Sequence, residues 1–218
     1  MSRLIPALGW LAAIGLAAGL VMAFGVAPRE ASQGNVQRIM YVHVPAVWVA
    51  YLAFAAVFVA SVAYLWTRAA GADRLAHAAA EVGVLFLGVN IATGSIWGKP
   101  TWGTWWTWDA RLTSVSIVFL IYVGYLLLRR TIEDRERAGR YAAILGILGA
   151  PNIYLVHASV YWWRTLHQPP SLLKAGGATM PAVFWAAVFV NFVGFLLVSA
   201  YFVAKRARLL AWEEEAPA

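Results

Sequence analysis

Cysteine is absent from all 218 residues. That excludes a disulfide framework, a thiolate metal site and covalent haem attachment through a Cys-x-x-Cys-His motif. Charge is scarce as well. Only 12% of the residues are Asp, Glu, Lys or Arg, where a soluble domain carries about 25%. The phosphate-cradling pattern G-x-x-x-x-G-K-[ST] does not occur, so any ATP-driven step has to come from another chain. No fixed-period internal repeat appears. No connecting segment is long enough for a separate soluble domain.

Apolar sequence takes the place of charge. Hydrophobic residues make up 62% of the chain, and the mean hydropathy is +0.68. Crossing a bilayer takes roughly 20 apolar residues as a helix. Six runs are long enough: about 4–27, 44–67, 78–98, 113–129, 141–161 and 178–204. The expected fold is therefore all-α, a single six-helix membrane domain over 1–218. The first run follows Arg3 and ends in small residues, as a secretory signal would. At about two dozen residues it exceeds the ~7–15-residue apolar core of such a signal, and it reads as a retained helix.

The net charge of +7 is explained by topology rather than by nucleic acid. With six spans, both termini share a side. That side holds Arg3, Arg68, Arg74, the cluster Arg129, Arg130, Arg135, Arg137 and Arg140, and then Lys205, Arg206 and Arg208: eleven of the 17 basic residues. The other side holds Arg29, Arg38, Lys99, Arg111, Arg164 and Lys174. The positive-inside bias places both termini in the cytoplasm. Glu81 lies near the cytoplasmic start of the third run, and no charged residue lies near a span centre. Intramembrane charges mark proton relays and ion pathways, so a proton-coupled pump and a voltage sensor are disfavoured. Asn90, Asn152, Asn191 and His157 read as interhelical hydrogen-bond formers, and Pro151 as a kink. The acidic end, Glu213 to Glu215, reads as a solvated tail.

The densest feature lies between the third and fourth runs, facing outward on this topology. Trp97, Trp102, Trp105, Trp106 and Trp108 are five of the chain's 12 tryptophans. They are threaded with Gly98, Pro100 and Gly103 and followed by Asp109 and Arg111. An interfacial aromatic belt explains one or two tryptophans per helix end, not this run. As a short interfacial helix, Trp102, Trp105, Trp106 and Asp109 would share a face at i, i+3, i+4 and i+7, with Trp108 turned away. Such a face is a shelf for a flat apolar ligand. Asp109 and Arg111 would pair with each other, or Arg111 would hold an acidic ligand group.

Two of the four histidines share that side. His43 stands just before the second run, among Tyr41, Pro45 and Trp48. His167 lies in the last outer loop, among Trp162, Trp163, Pro169 and Pro170. His77 is an ordinary residue of the cytoplasmic side. Neutral imidazole is a good axial ligand for haem iron, which makes His43 and His167 candidates beside the aromatic shelf.

Residues 102–113, WGTWWTWDARLT, resemble the tryptophan-rich (WWD) signature of the membrane haem-handling proteins of cytochrome c biogenesis. The chain's size, six spans and signature position resemble that family's cytochrome c maturation protein C (CcmC) branch. RIMYVHVPAVW at 38–48 and YWWRTLHQPPS at 161–171 extend the resemblance over essentially the whole chain. The resemblance implies that His43 and His167 ligate iron, with haem b resting on Trp102, Trp105, Trp106 and Trp108 beside Asp109 and Arg111. It implies an inner-membrane carrier rather than an enzyme. It also implies delivery to a membrane-anchored periplasmic haem chaperone (CcmE-like), with an ATP-binding-cassette pair (CcmA- and CcmB-like) and a small membrane subunit (CcmD-like) as partners. Arg111, Lys99, Arg38 and Arg164 all remain candidates for the haem propionates. Two rival readings stay open: a lyase that forms the thioether bond itself, and a transporter that moves haem across the bilayer.

Overall fold

The structure is a computed structural model that describes residues 4–169 and 180–215. The expected Lys174 and Pro170, with the start of the sixth run, lie outside the described residues. Every long element is a helix: α1 (Leu4–Leu20), which continues as a π-helical turn (Val21–Val26), α2 (Met40–Thr67) entered through a 3-10 turn (Val36–Ile39), α3 (Ala70–Trp102), α4 (Ala110–Thr131), α5 (Arg135–Trp162) and α6 (Ala182–Glu215). All six are long and apolar enough to cross a membrane.

Most of the helices outrun the apolar runs that announced them. Hydropathy locates the lipid-soluble stretch, whereas caps set the ends. Asp109 caps α4 and Asp134 caps α5, each carboxylate accepting from the backbone N–H three residues on. Gly103, at φ 80°, closes α3 in the left-handed conformation, and its N–H donates to the Lys99 carbonyl. The helix α5 runs on through Pro151.

The helix α2 is central and packs on α3, α5 and α6, while α1 lies on α6 and α4 on α5 and α3. Lipid is as apolar as leucine, so helices gain by close approach rather than by hiding oil from water. Small residues carry that approach. Gly15 and Gly194 bring α1 and α6 together: a Cβ on Gly194 would sit 2.8 Å from the Gly15 carbonyl oxygen. One turn on, Asn191 Nδ2 donates to the Gly19 carbonyl at 3.0 Å. Gly83 faces the Phe54 ring across α3 and α2, and Phe54 stacks on Tyr122 with centroids 3.7 Å apart. Of the expected interhelical asparagines, Asn90 and Asn191 serve so. Asn152 instead donates to carbonyls of its own helix, Leu148 and Gly149.

The two ends of the bundle differ in chemistry. At the end where α1 begins and α6 finishes, Arg129 grips Asp73 at 2.5 and 2.7 Å. Arg206 and His77 share Glu81. The acidic tail is not merely solvated. A 34-residue α6 is about 51 Å long, against a ~30 Å hydrocarbon core. Its overhang carries Glu214 to Arg74 at 2.7 Å and Glu213 to Arg206 at 2.9 Å. Among the described residues, every ion pair lies at this end. The other end is aromatic.

Candidate functional site

The aromatic end is assembled from the start of α2, the end of α3, the start of α4 and the segment after α5. The Trp-rich stretch does not form one short helix. Trp97 and Trp102 belong to the last turns of α3, Gly103 breaks the helix, and 104–109 runs without regular structure to the cap of α4. Trp102, Trp105, Trp106 and Asp109 therefore do not share a helical face. The left-handed glycine and the following N-cap override the i, i+3, i+4 spacing. Exposed indoles remain at this end. Trp105 and Trp108 are 56% and 76% exposed, and Trp106 meets Trp108 edge to face at 5.6 Å. Trp102 meets the His167 ring at 6.1 Å.

His43 lies within α2 rather than before it, because the helix starts at Met40. Its ring lies against α3. Nδ1 is 3.1 Å from the Asn90 carbonyl oxygen and 3.2 Å from Thr93 Oγ1. The Thr93 hydroxyl donates to Val89 O at 2.7 Å and so presents a lone pair to the ring. Two of the groups nearest Nδ1 are thus acceptors, and the third, Asn90 Nδ2 at 3.2 Å, is a donor; the two acceptors suit a ring proton on Nδ1, and in that neutral tautomer Nε2 keeps its lone pair. Trp97 packs edge-on against the ring at 5.7 Å. A Cβ on Gly94 would come within 2.9 Å of His43 Cε1, so only glycine leaves room for the imidazole there.

His167 reaches the same state by another route. It sits in the irregular segment after α5, and its Nδ1 is 2.9 Å from the Gln168 carbonyl oxygen. A carbonyl only accepts, so again Nδ1 carries the proton and Nε2 is bare. Burial holds this imidazole below its ordinary pKa of 6.5, and the nearby Arg111 guanidinium adds to the effect. His167 is therefore neutral at pH 7.

Asp109 and Arg111 do not pair. One Asp109 oxygen accepts from Leu112 N at 2.9 Å as the α4 cap, and the other accepts from Leu166 N at 3.0 Å. The carboxylate is a clasp between α4 and the residue next to His167, a role that local spacing gave no sign of. Arg111 Nη1 donates to the Val156 carbonyl at 3.3 Å, and no carboxylate among the described residues pairs with it. Lys99 donates to the Gly103 carbonyl at 3.0 Å and Arg38 to the Ala23 carbonyl, so both hold helix ends in place. Arg164 is exposed beyond α5. Trp106 Nε1 and Thr107 Oγ1 are buried without a hydrogen-bond partner among the described residues. His157 stands apart, in a groove of about 420 Å³ between α2 and α5 that Tyr51 and Tyr154 also line.

Among the described residues, no group of three or more His, Cys, Asp or Glu side chains is placed to hold a metal. Two bare imidazole nitrogens beside exposed indoles are too few for a bare ion. They suit a metal that brings its own planar ligand.

These features define a multi-pass membrane protein that presents two histidines and several exposed indoles at one end of its helix bundle. The chain matches the family model for Heme exporter protein C (CcmC) over residues 1–218, and it belongs to that family. It is 41% identical to Heme exporter protein C of Bradyrhizobium diazoefficiens over 214 residues, 96% of this chain and 80% of that one. Against Heme exporter protein C of Escherichia coli K12 it is 38% identical over 217 residues, 98% and 86% of the two chains. A putative cytochrome c biosynthesis ccmC-like mitochondrial protein of Marchantia polymorpha is 38% identical over 192 residues, 88% and 81%.

Proposed function

We propose that this chain holds haem at the periplasmic face of the bacterial inner membrane and delivers it for c-type cytochrome biogenesis. His43 and His167 supply the axial nitrogens. Trp102, Trp105, Trp106 and Trp108 cover the porphyrin. Family membership supports the haem-handling role. The observation that carries the ligand assignment is that each histidine turns Nδ1–H to a main-chain carbonyl and keeps Nε2 bare. Metal-bound histidines characteristically hold their second nitrogen in this way, which fixes tautomer and orientation.

The rest of the chain's chemistry follows from that assignment. Two imidazoles fill both axial positions and leave no open site for oxygen chemistry, which suits a carrier. The cargo is haem b, held without a thioether bond since the chain has no cysteine. Arg111, with its remaining guanidinium donors, is the best placed of the four cations for a propionate. Trp106 Nε1 and Thr107 Oγ1, without a partner among the described residues, are further donors in the same tryptophan-rich segment. His43 sits on a helix, and His167 sits on an irregular segment held by Asp109. His43 would be the helix-borne ligand and His167 the one carried on a non-helical segment. The acceptor is a periplasmic haem chaperone (CcmE-like). An ATP-binding-cassette pair (CcmA- and CcmB-like) and a small membrane subunit (CcmD-like) complete the assembly.

The test is the absorption spectrum of the purified protein beside His43→Ala and His167→Ala. The wild type is expected to show a six-coordinate, low-spin b-type haem, and each substitution to weaken or abolish it. Unchanged spectra in both variants would overturn the ligand assignment.

A further inference from the structure

Asn90 looks at first like simple interhelical glue, since its Nδ2 donates to the main-chain carbonyl of His43 at 3.0 Å. The same nitrogen lies 3.2 Å from His43 Nδ1 and 3.3 Å from Nε2. The two ring nitrogens are about 2.2 Å apart, on opposite sides of Cε1. A donor nearly equidistant from both at that range cannot lie in the ring plane without striking Cε1. It lies over the ring face. The amide thus leaves the in-plane Nε2 lone pair untouched, and it limits how far the ring can tilt.

We propose that Asn90, assisted by Thr93, is the positioning residue for His43. Asn90 caps the ring face and supplies the main-chain carbonyl that takes Nδ1–H. Thr93, three residues on and on the same face of α3, supplies a second acceptor. Together they fix both the tautomer and the ring plane, so that Nε2 alone is presented to iron. The proposal rests on the reading of His43 as a ligand. It goes beyond that reading by assigning the orienting role to two uncharged residues outside the tryptophan signature. The physical consequence is electronic as well as steric. An Nδ1–H that donates to acceptors makes Nε2 a stronger donor to iron, which favours the ferric state.

The experiment uses the full chain, purified and loaded with haem, as wild type, Asn90→Leu and Thr93→Val. Leu keeps the bulk of Asn without the amide, and Val replaces one hydroxyl by a methyl. Three quantities are read: the largest g value of the ferric low-spin electron paramagnetic resonance signal, the midpoint potential, and the rate of haem loss to excess apomyoglobin. Outer partners of metal ligands typically contribute 10–100-fold to affinity, so haem loss should quicken about tenfold in Asn90→Leu. The g value should shift in Asn90→Leu as the ring turns. The potential should rise in Thr93→Val as Nε2 loses donor strength. In a His43→Ala background without added imidazole, neither substitution should change the remaining haem signal further. Complete haem loss from a variant that melts at the wild-type temperature would also support the proposal. Unchanged g value and potential in both variants would overturn it, as would equal effects in the His43→Ala background. Failure of the underlying reading looks different: His43→Ala would then keep the wild-type low-spin signal.

Discussion

Asp109→Asn separates the two bonds that one carboxylate makes. Asn caps helices about as well as Asp, so the bond to Leu112 N survives the substitution. The second oxygen becomes an NH2 group facing the Leu166 N–H, and two donors then oppose each other. A hydrogen bond to a charged acceptor contributes about 1.5–3 kcal/mol, and each 1.4 kcal/mol is a factor of ten. The Leu166 amide is open to solvent, so water replaces part of the loss and the low end of that range applies. Haem should leave Asp109→Asn about tenfold faster than the wild type, because the segment bearing His167 is no longer clasped to α4. Asp109→Ala loses the cap as well, which costs a further ~1 kcal/mol of stability. The assay is haem transfer to excess apomyoglobin, followed by the Soret band, alongside thermal unfolding in detergent. Asp109→Asn should show fast transfer with a near-native melt, and Asp109→Ala fast transfer with a lowered melt. A wild-type transfer rate in Asp109→Asn would refute the clasp. So would a rate that rises only in step with lost stability, since the carboxylate would then be a helix cap and nothing more.

Two further outcomes follow from the same structure. Gly194→Val places a side chain against the Gly15 backbone, where a Cβ alone would meet the carbonyl oxygen at 2.8 Å. Overpacking of this kind costs about 1–3 kcal/mol, so the detergent melt should fall while the haem spectrum of the folded fraction stays native. The depressed pKa of His167 sets a pH dependence. In the folded protein the ring remains neutral, and able to bind iron, below its ordinary pKa of 6.5. Haem retention should therefore hold through pH 6.5 as pH falls and fail only below it. Stability moves with the same sign: in the interval between the two pKa values the unfolded chain binds the proton more readily, so folding weakens as pH drops through 6.5. A spectral pH titration that broke at or above 6.5 would contradict the assignment.

Much of the architecture was legible from the chain alone. Six spans are a property of local hydropathy, because lipid demands about 20 apolar residues wherever the chain crosses it. The tryptophan segment was equally plain, since composition shows it without any partner. The site was legible only as a parts list of histidines, indoles and one acid–base pair. The expected shared indole face failed for a local reason: Gly103 and the Asp109 cap break the helix on which that spacing depended. Asp109 and Arg111 do not pair for a distant one: their bonds go to Leu166 and Val156.

What the sequence by itself determined, then, is which stretches enter the membrane and which residue types gather at each end. Periodicity, caps and charge bias act over a few residues and are readable in order. Only the tertiary structure decided what those residues do. His43 is oriented by Asn90, 47 positions away. The residue beside His167 is held by Asp109, 57 positions away. The tail is tied to Arg74 across 140 positions, and α1 is bonded to α6 across 172. Each of these is a directional bond of about 3 Å. Such bonds depend on which helix faces meet, and that is set by close packing of glycines and alanines on several helices together rather than by any local pattern.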